Sequence, residues 1–249
     1  EDARQRDPVF YAAQYKLQPA AGEAADFQEA WLRDYEWEAM GKQIRYRDLD
    51  GIMRFVNTRE LQVLISVDPA ISDKEGSARS AVMVVGTNGT QLFLLVAWAG
   101  RVGATGLAER ILEFYQRYRA THIILESVAY QEALGDVLEL LSKQRHVVGR
   151  LPIYEHRTGS ATKKDTRIRG MEPYFRKGFF HVHKSSQQDF LDEYRNFPYT
   201  KLRDMLDALS FQREYWERLA TREGASGLRD RKPAERNKVR KIIDRYTRR

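Results

Sequence analysis

Four carboxylates stand where chemistry could be done: Asp68, Glu126, Asp204 and Asp207. Hydrolysis of a phosphodiester needs an activated water and neutral cover for the charge on the phosphate and the leaving oxygen. Two divalent cations about 3.5–4 Å apart supply both. Mg²⁺ and Mn²⁺ prefer oxygen ligands, so a protein holds them with three or four Asp or Glu side chains from different elements. Each acid also has a plainer reading. Asp68-Pro69 is a turn that closes a strand. Glu126 suits the start of a following helix, and Asp204 suits a helix cap. Asp207 is harder to explain that way. It lies three residues from Asp204, hence on the same helix face, beside apolar Leu206, Ala208 and Leu209. Two acids so placed repel unless something positive sits between them.

The elements that must carry these acids can be read from the apolar pattern. Leu61–Val67, Ser80–Gly86 and Gln91–Ala99 read as three strands of a meander. The tight turn between the last two is Asn88-Gly89. Gly106–Arg119 has helical spacing. Thr121–Leu125 is a fourth strand, ending at Glu126. Ala129–Lys143 is a helix and Val147–Tyr154 a fifth strand. Lys164–Phe175 and Gln187–Asn196 read as helices with a strand near Phe179–Val182 between them, and Leu202–Leu219 as a closing helix. Upstream, Phe27–Met40 reads as a helix with an aromatic face. The predicted fold class is α/β, of ribonuclease H-like order. Three antiparallel strands are followed by parallel strands, in one mixed sheet flanked by helices. An acid then ends strand one, an acid ends strand four, and Asp-x-x-Asp-Ala opens the last helix.

Composition narrows the classes further. The chain has 249 residues with 42% hydrophobic content, enough for one full-sized domain. No apolar run approaches a membrane span. There are no cysteines, which excludes disulfides, thiolate zinc sites and a cysteine nucleophile. No signal-like segment opens the sequence, and a start at Glu1 rather than Met is expected of a piece of a longer protein. The net charge of +7 is matched by residues 227–249 alone, so a basic tail follows a charge-balanced body. Such a tail suits an anionic partner such as nucleic acid, or a solvated terminus. Arg157, Lys163, Lys164, Arg167 and Arg169 form a second basic cluster, which reads as phosphate contacts or as a solvated helix face. His181-x-His183 is a weak zinc signal beside the simpler reading of edge-strand histidines.

Four stretches resemble the nuclease domain of the large subunit of tailed-bacteriophage DNA-packaging terminases. Phe10-Tyr-Ala-Ala-Gln-Tyr-Lys-Leu-Gln-Pro19 is similar to the segment joining motor and nuclease. Val63-Leu-Ile-Ser-Val-Asp-Pro-Ala70 is similar to the first catalytic strand. Lys163-Lys-Asp-Thr-Arg-Ile-Arg169, with Glu172-Pro-Tyr-Phe175 and Gly178, is similar to the Lys-rich helix and its turn. Arg203-Asp-Met-Leu-Asp-Ala-Leu209 is similar to the closing acidic motif, which junction resolvases of the same fold also carry.

The resemblance implies that Asp68, Glu126 and Asp204 ligate Mg²⁺ or Mn²⁺, with Asp207 a fourth ligand or a supporting acid. It implies cleavage of double-stranded concatemeric viral DNA in the host cytoplasm, and portal and small-subunit partners. It further implies a helical arm or linker from the motor over 1–60, the nuclease over 61–220 and the tail over 221–249, with the isolated domain monomeric. The chain departs from the family in two places. Arg203 stands where another Asp is frequent, and Ser77-Ala-Arg-Ser80 replaces an acid near the second strand. A phosphate-binding Gly-x-x-x-x-Gly-Lys-Ser/Thr loop does not occur in the sequence, so no motor is expected in this chain. The alternatives are a Holliday-junction resolvase, a ribonuclease H-type nuclease, or a non-catalytic DNA-binding packaging module.

Overall fold

Runs such as Val63–Val67 and Ala81–Val85 are buried along their whole length, which suits strands covered on both faces. The computed structural model describes residues 26–70, 79–126, 131–147, 149–156, 163–216 and 218. The chain divides into two units, Glu1–Gln212 and Arg213–Arg249, and the elements below belong to the first. Phe10–Pro19, Arg157 and the tail lie outside the described residues.

The strands are β1 (Arg33–Glu38), β2 (Gln43–Arg47), β3 (Met53–Asn57), β4 (Gln62–Asp68), β5 (Ser80–Thr87), β6 (Leu92–Gly100), β7 (His122–Glu126), β8 (Ile153–His156) and β9 (Phe180–Val182). They form one sheet in the order β3-β2-β1-β9-β6-β5-β4-β7-β8. Its heart is the predicted one: β4, β5 and β6 are an antiparallel meander, and β7 and β8 add parallel to β4. That is the ribonuclease H-like order. Asn88 closes the β5–β6 turn by accepting from the N–H groups of Thr90 and Gln91, with Gly89 at φ +86°.

The helices are α1 (Ala104–Tyr118), α2 (Gln131–Gln144), α3 (Lys164–Arg169), α4 (Glu172–Arg176), α5 (Gln188–Asn196) and α6 (Asp204–Ser210). One face of the sheet, with Val63, Ile65, Val82, Val84 and Ile123, shares a core with Leu107, Ile111 and Leu112 of α1 and Leu134 and Leu138 of α2. The other face receives α6, which packs on β4 and β5 and touches α3 and α5.

Three expectations need correction. The helix read over Phe27–Met40 is instead β1, preceded by a short 3-10 turn at Glu29–Trp31. Tyr35 and Trp37 alternate with exposed Asp34 and Glu36, a period of two rather than 3.6. β1 docks parallel on β9, and β2 and β3 extend the sheet beyond it. Secondly, β9 is therefore interior, so His181 is no edge histidine. It is buried, bonds Gln91 through Nε2 at 2.8 Å and stacks on Phe93; burial pushes its pKa down to about 4, which keeps it neutral. Thirdly, the closing helix read over Leu202–Leu219 is interrupted rather than continuous: residues 213–216 and 218 are helical, but α6 itself ends at Ser210. Phe211 and Gln212 close it with tight i→i+3 bonds. The Gln212 amide then donates to Ser66 Oγ at 2.9 Å and to the Met83 carbonyl at 3.1 Å.

Candidate active site

Asp68 is the last residue of β4, and its exit is pinned where the Ala70 N–H donates to Ser80 Oγ at 3.0 Å. β7 runs parallel to β4 in the register Val67↔Leu125. Asp68 and Glu126 are the next residues of these two strands, so they leave the sheet at the same end and on the same face. Glu126 is in turn in register with His156 of β8, whose ring stacks on Phe211. Above that end, α6 begins with Asp204, and Asp207 follows one turn on, almost wholly buried.

The positive group anticipated between the two helical acids is a lysine. Lys164, the first residue of α3, places Nζ 3.4 Å from Asp68 Oδ2, 3.1 Å from Asp204 Oδ1 and 3.4 Å from Asp207 Oδ2. Burial works against the ammonium, but Asp68, Asp207 and Asp204 together outweigh it and raise its pKa. Arg167, one turn later, grips both oxygens of Asp207, with Nε to Oδ1 at 3.1 Å and Nη2 to Oδ2 at 2.8 Å. Asp165 takes Arg203 at 2.6 Å, tying α3 to the residue before α6. Thus three of the four acids surround one ammonium. Glu126 does not touch it, but its charge helps raise the pKa of Asp68.

The basic cluster is accordingly divided. Lys164 and Arg167 face the acids. Arg169 bonds Asp26 at 2.6 Å and lies over the Phe197 ring, and Lys163 is exposed.

Sequence reasoning missed Glu193. It lies on the buried face of α5 with Phe190 and Tyr194, and a charge on an apolar helix face was the signal available. Its Oε2 accepts from the N–H groups of Met205 and Leu206 at 3.0 and 3.3 Å. These belong to the first turn of α6, which has no side-chain cap of its own. Its Oε1 accepts from Arg79 at 2.6 Å, and the buried Arg79 Nε faces Asp204 Oδ2 at 3.6 Å. Arg79 is the basic residue of the stretch where an acid is frequent in the resembled family. Here it adds positive charge beside Asp204.

The donors fit a divalent ion in kind, because hard carboxylate oxygens already enclose a cation. Their spacing fits the ammonium. Among the described residues no three Asp, Glu or His side chains stand close enough to ligate a metal as they are. Mg²⁺ takes oxygens at about 2.0–2.1 Å, so Lys164 would have to give way and the acids draw in.

Burial pushes the Asp68 carboxyl up to about 7, with Asp207 and Glu126 adding to the rise and Lys164 opposing it. A raised carboxyl pKa means that the folded state holds its proton longer than the unfolded chain. Its effect is a loss of stability as pH climbs from about 4 to about 7. In chelator, Asp68→Asn should therefore melt above wild type at pH 8, with the gap closing by pH 5. Taking the difference between the two proteins cancels the opposite contribution of His181 and the parallel one of Glu193. A gap that widens toward pH 5 would contradict the assignment.

No family model and no curated protein matches the sequence. Among solved structures, the chain is similar to the human cytomegalovirus terminase nuclease domain. Identity is 15%, covering 62% of this chain and 82% of that one, with a TM-score of 0.46. It is also similar to the large terminase nuclease from thermophilic phage G20c, at 14% identity, 73% and 92% coverage and a TM-score of 0.48. A third is the fowlpox virus resolvase in complex with Holliday junction DNA, at 14% identity, 64% and 99% coverage and a TM-score of 0.40. Strand order alone makes this chain a ribonuclease H-like domain. Likenesses this distant add nothing about chemistry, which rests on the residues of the site itself.

Proposed function

We propose that this chain is a metal-dependent endodeoxyribonuclease that cuts double-stranded DNA, the nuclease portion of a genome-packaging terminase. The observation that carries the reading is the convergence of Asp68, Asp204 and Asp207, from a strand end and a helix start, on a single cation, with Glu126 at the neighbouring strand end. A fold does not need four acids at one sheet edge, and their mutual repulsion costs stability unless a cation sits among them.

Asp68, Glu126, Asp204 and Asp207 would hold Mg²⁺ or Mn²⁺. When bound, a pair of such ions supplies an activated water and cover for charge on the phosphate. The chain's own residues do the remainder. Arg167 fixes the orientation of Asp207 through its two-point grip. Glu193 and Arg79 hold the first turn of α6 and so aim Asp204. Lys163, Arg157 and Arg169 offer charge to the DNA backbone, joined by Lys164 and Arg167 to the extent that they leave the acids. Such contacts position a duplex without reading its sequence, as suits cutting of concatemeric DNA. Motor, portal and small subunit would present that DNA, as the sequence resemblance implies.

The test is supercoiled plasmid incubated with Mg²⁺, Mn²⁺ or chelator. Nicking and linearisation are expected with either ion and none with chelator. A parallel panel of duplex, four-way junction and RNA–DNA hybrid separates this reading from a resolvase or ribonuclease H, since strong preference for the junction or the hybrid would replace it.

Metal binding should also be visible without DNA. An ion that binds only the folded state stabilises it by about 2.7 kcal/mol at a hundredfold excess over Kd. For a domain of this size that is a rise in Tm of roughly 5–11 °C. Asp68→Asn should lose most of this rise, and an equal rise in the variant would place the ion elsewhere.

A further inference from the structure

The ammonium of Lys164 lies where a divalent ion would have to go. It shares three carboxylates from two elements, Asp68 of β4 and Asp204 and Asp207 of α6, at 3.1–3.4 Å. A metal ion on the same oxygens would sit only a few ångströms from Nζ, and the two cations would repel in a half-buried setting where water screens them poorly. The two basic residues of α3 that face the acids differ in how easily they can leave. Arg167 is held by two bonds to Asp207 and its side chain is 17% exposed. Lys164 makes three longer contacts and is 33% exposed, on a flexible four-carbon stem. Its head can swing into solvent while α3 stays clipped to α6 by Asp165–Arg203 and Arg167–Asp207.

We propose that Lys164 is the resident cation of the acid cluster and competes with the divalent metal for it. It holds the acids together in the metal-free protein and is expelled when the ion enters. This rests on the metal-site reading above and assigns to Lys164 a positioning role distinct from a standing DNA contact. Arg167 stays on Asp207 throughout, which leaves Asp68 and Asp204 as the acids that change partner. Two opposite consequences then belong to one residue. Lys164 stabilises the protein without metal and weakens metal binding.

The test is Mn²⁺ titration of the full chain without DNA, by calorimetry and by the electron paramagnetic resonance signal of free Mn²⁺, for wild type and Lys164→Met. Lys164→Met should bind Mn²⁺ about tenfold more tightly or better, while its Tm in chelator falls below wild type. Unchanged or weaker Mn²⁺ binding in Lys164→Met overturns the proposal. So does an equal Tm in chelator. Where the variant does not fold, wild type alone decides through amine acetylation read by mass spectrometry. Mn²⁺ should speed labelling of Lys164 several-fold and leave Lys163 unchanged, and slower or unaltered labelling of Lys164 overturns the proposal. The two readings fail separately. If both proteins bind Mn²⁺ equally and the plasmid is still cut, only the competition falls. If neither binds, the competition falls together with the metal site.

Discussion

Asp204→Asn is expected to abolish metal-dependent plasmid cleavage while leaving the fold intact. Asp204 is the first residue of α6, 3.1 Å from the Lys164 ammonium and near Arg79. Asn keeps the shape and one oxygen but removes the charge that would bind a divalent ion. Loss of an outer partner of a metal ligand lowers activity or affinity by roughly 10- to 100-fold, and loss of a ligand itself should exceed that. The fold should survive, because the caps of α6 are supplied by Glu193 and not by Asp204. Cleavage rates with Mn²⁺ and circular dichroism on the same preparation check this. Cleavage retained at close to the wild-type rate would remove Asp204 from the site.

The largest stability effect is expected at Glu193, away from the acids that the sequence put forward. Glu193→Ala takes the acceptor from the N–H groups of Met205 and Leu206, both buried, and from Arg79. Each buried donor left without a partner costs about 1–3 kcal/mol, so the variant should lose several kcal/mol. Glu193→Gln keeps an amide oxygen for the two N–H groups and should lose far less. Burial pushes the Glu193 carboxyl up to about 7, with Asp204 adding to the rise, while the Leu206 and Met205 N–H groups and Arg79 oppose it. Stability from the ionised form is therefore not what holds α6. The N–H bonds hold it, and they persist in the protonated acid. Urea unfolding at pH 6 is the measurement. Equal stabilities of the Ala and Gln variants would show that these bonds contribute little. A second readout separates aim from stability: Mn²⁺ affinity of the folded Gln variant should stay within a few-fold of wild type.

How much of this was legible in the chain depends on the range of the interaction involved. Alternating and continuous apolar runs are local, and they sufficed for the meander, for the first parallel strand after it and for most helices to within a few residues. The second parallel strand, read over Val147–Tyr154, forms instead at Ile153–His156. Asn88-Gly89 declared its own turn. Asp68, Glu126, Asp204 and Asp207 could be nominated from position alone, since strand ends and helix starts at one sheet edge come together whenever the strand order is this one. Phe27–Met40 misled because Tyr, Trp and Glu at short spacing satisfy a helix face as well as a strand. What makes β1 a strand is pairing on both sides, antiparallel with β2 next in the chain and parallel with β9 far along it, where Arg33 is in register with His181.

The pairing of charges is the part that sequence did not determine. Lys163 and Lys164 are neighbours of the same type, yet one is exposed and the other sits among three carboxylates. No local rule separates them, because the difference is made by where α3 crosses α6 over the end of β4. Glu193 likewise acquires its role only when α5 brings it under the first turn of α6. The sequence by itself determined which acids and which strands this protein has. Tertiary structure alone decided which cation stands among those acids, because a charge finds its partner through space and a strand pattern is written along the chain.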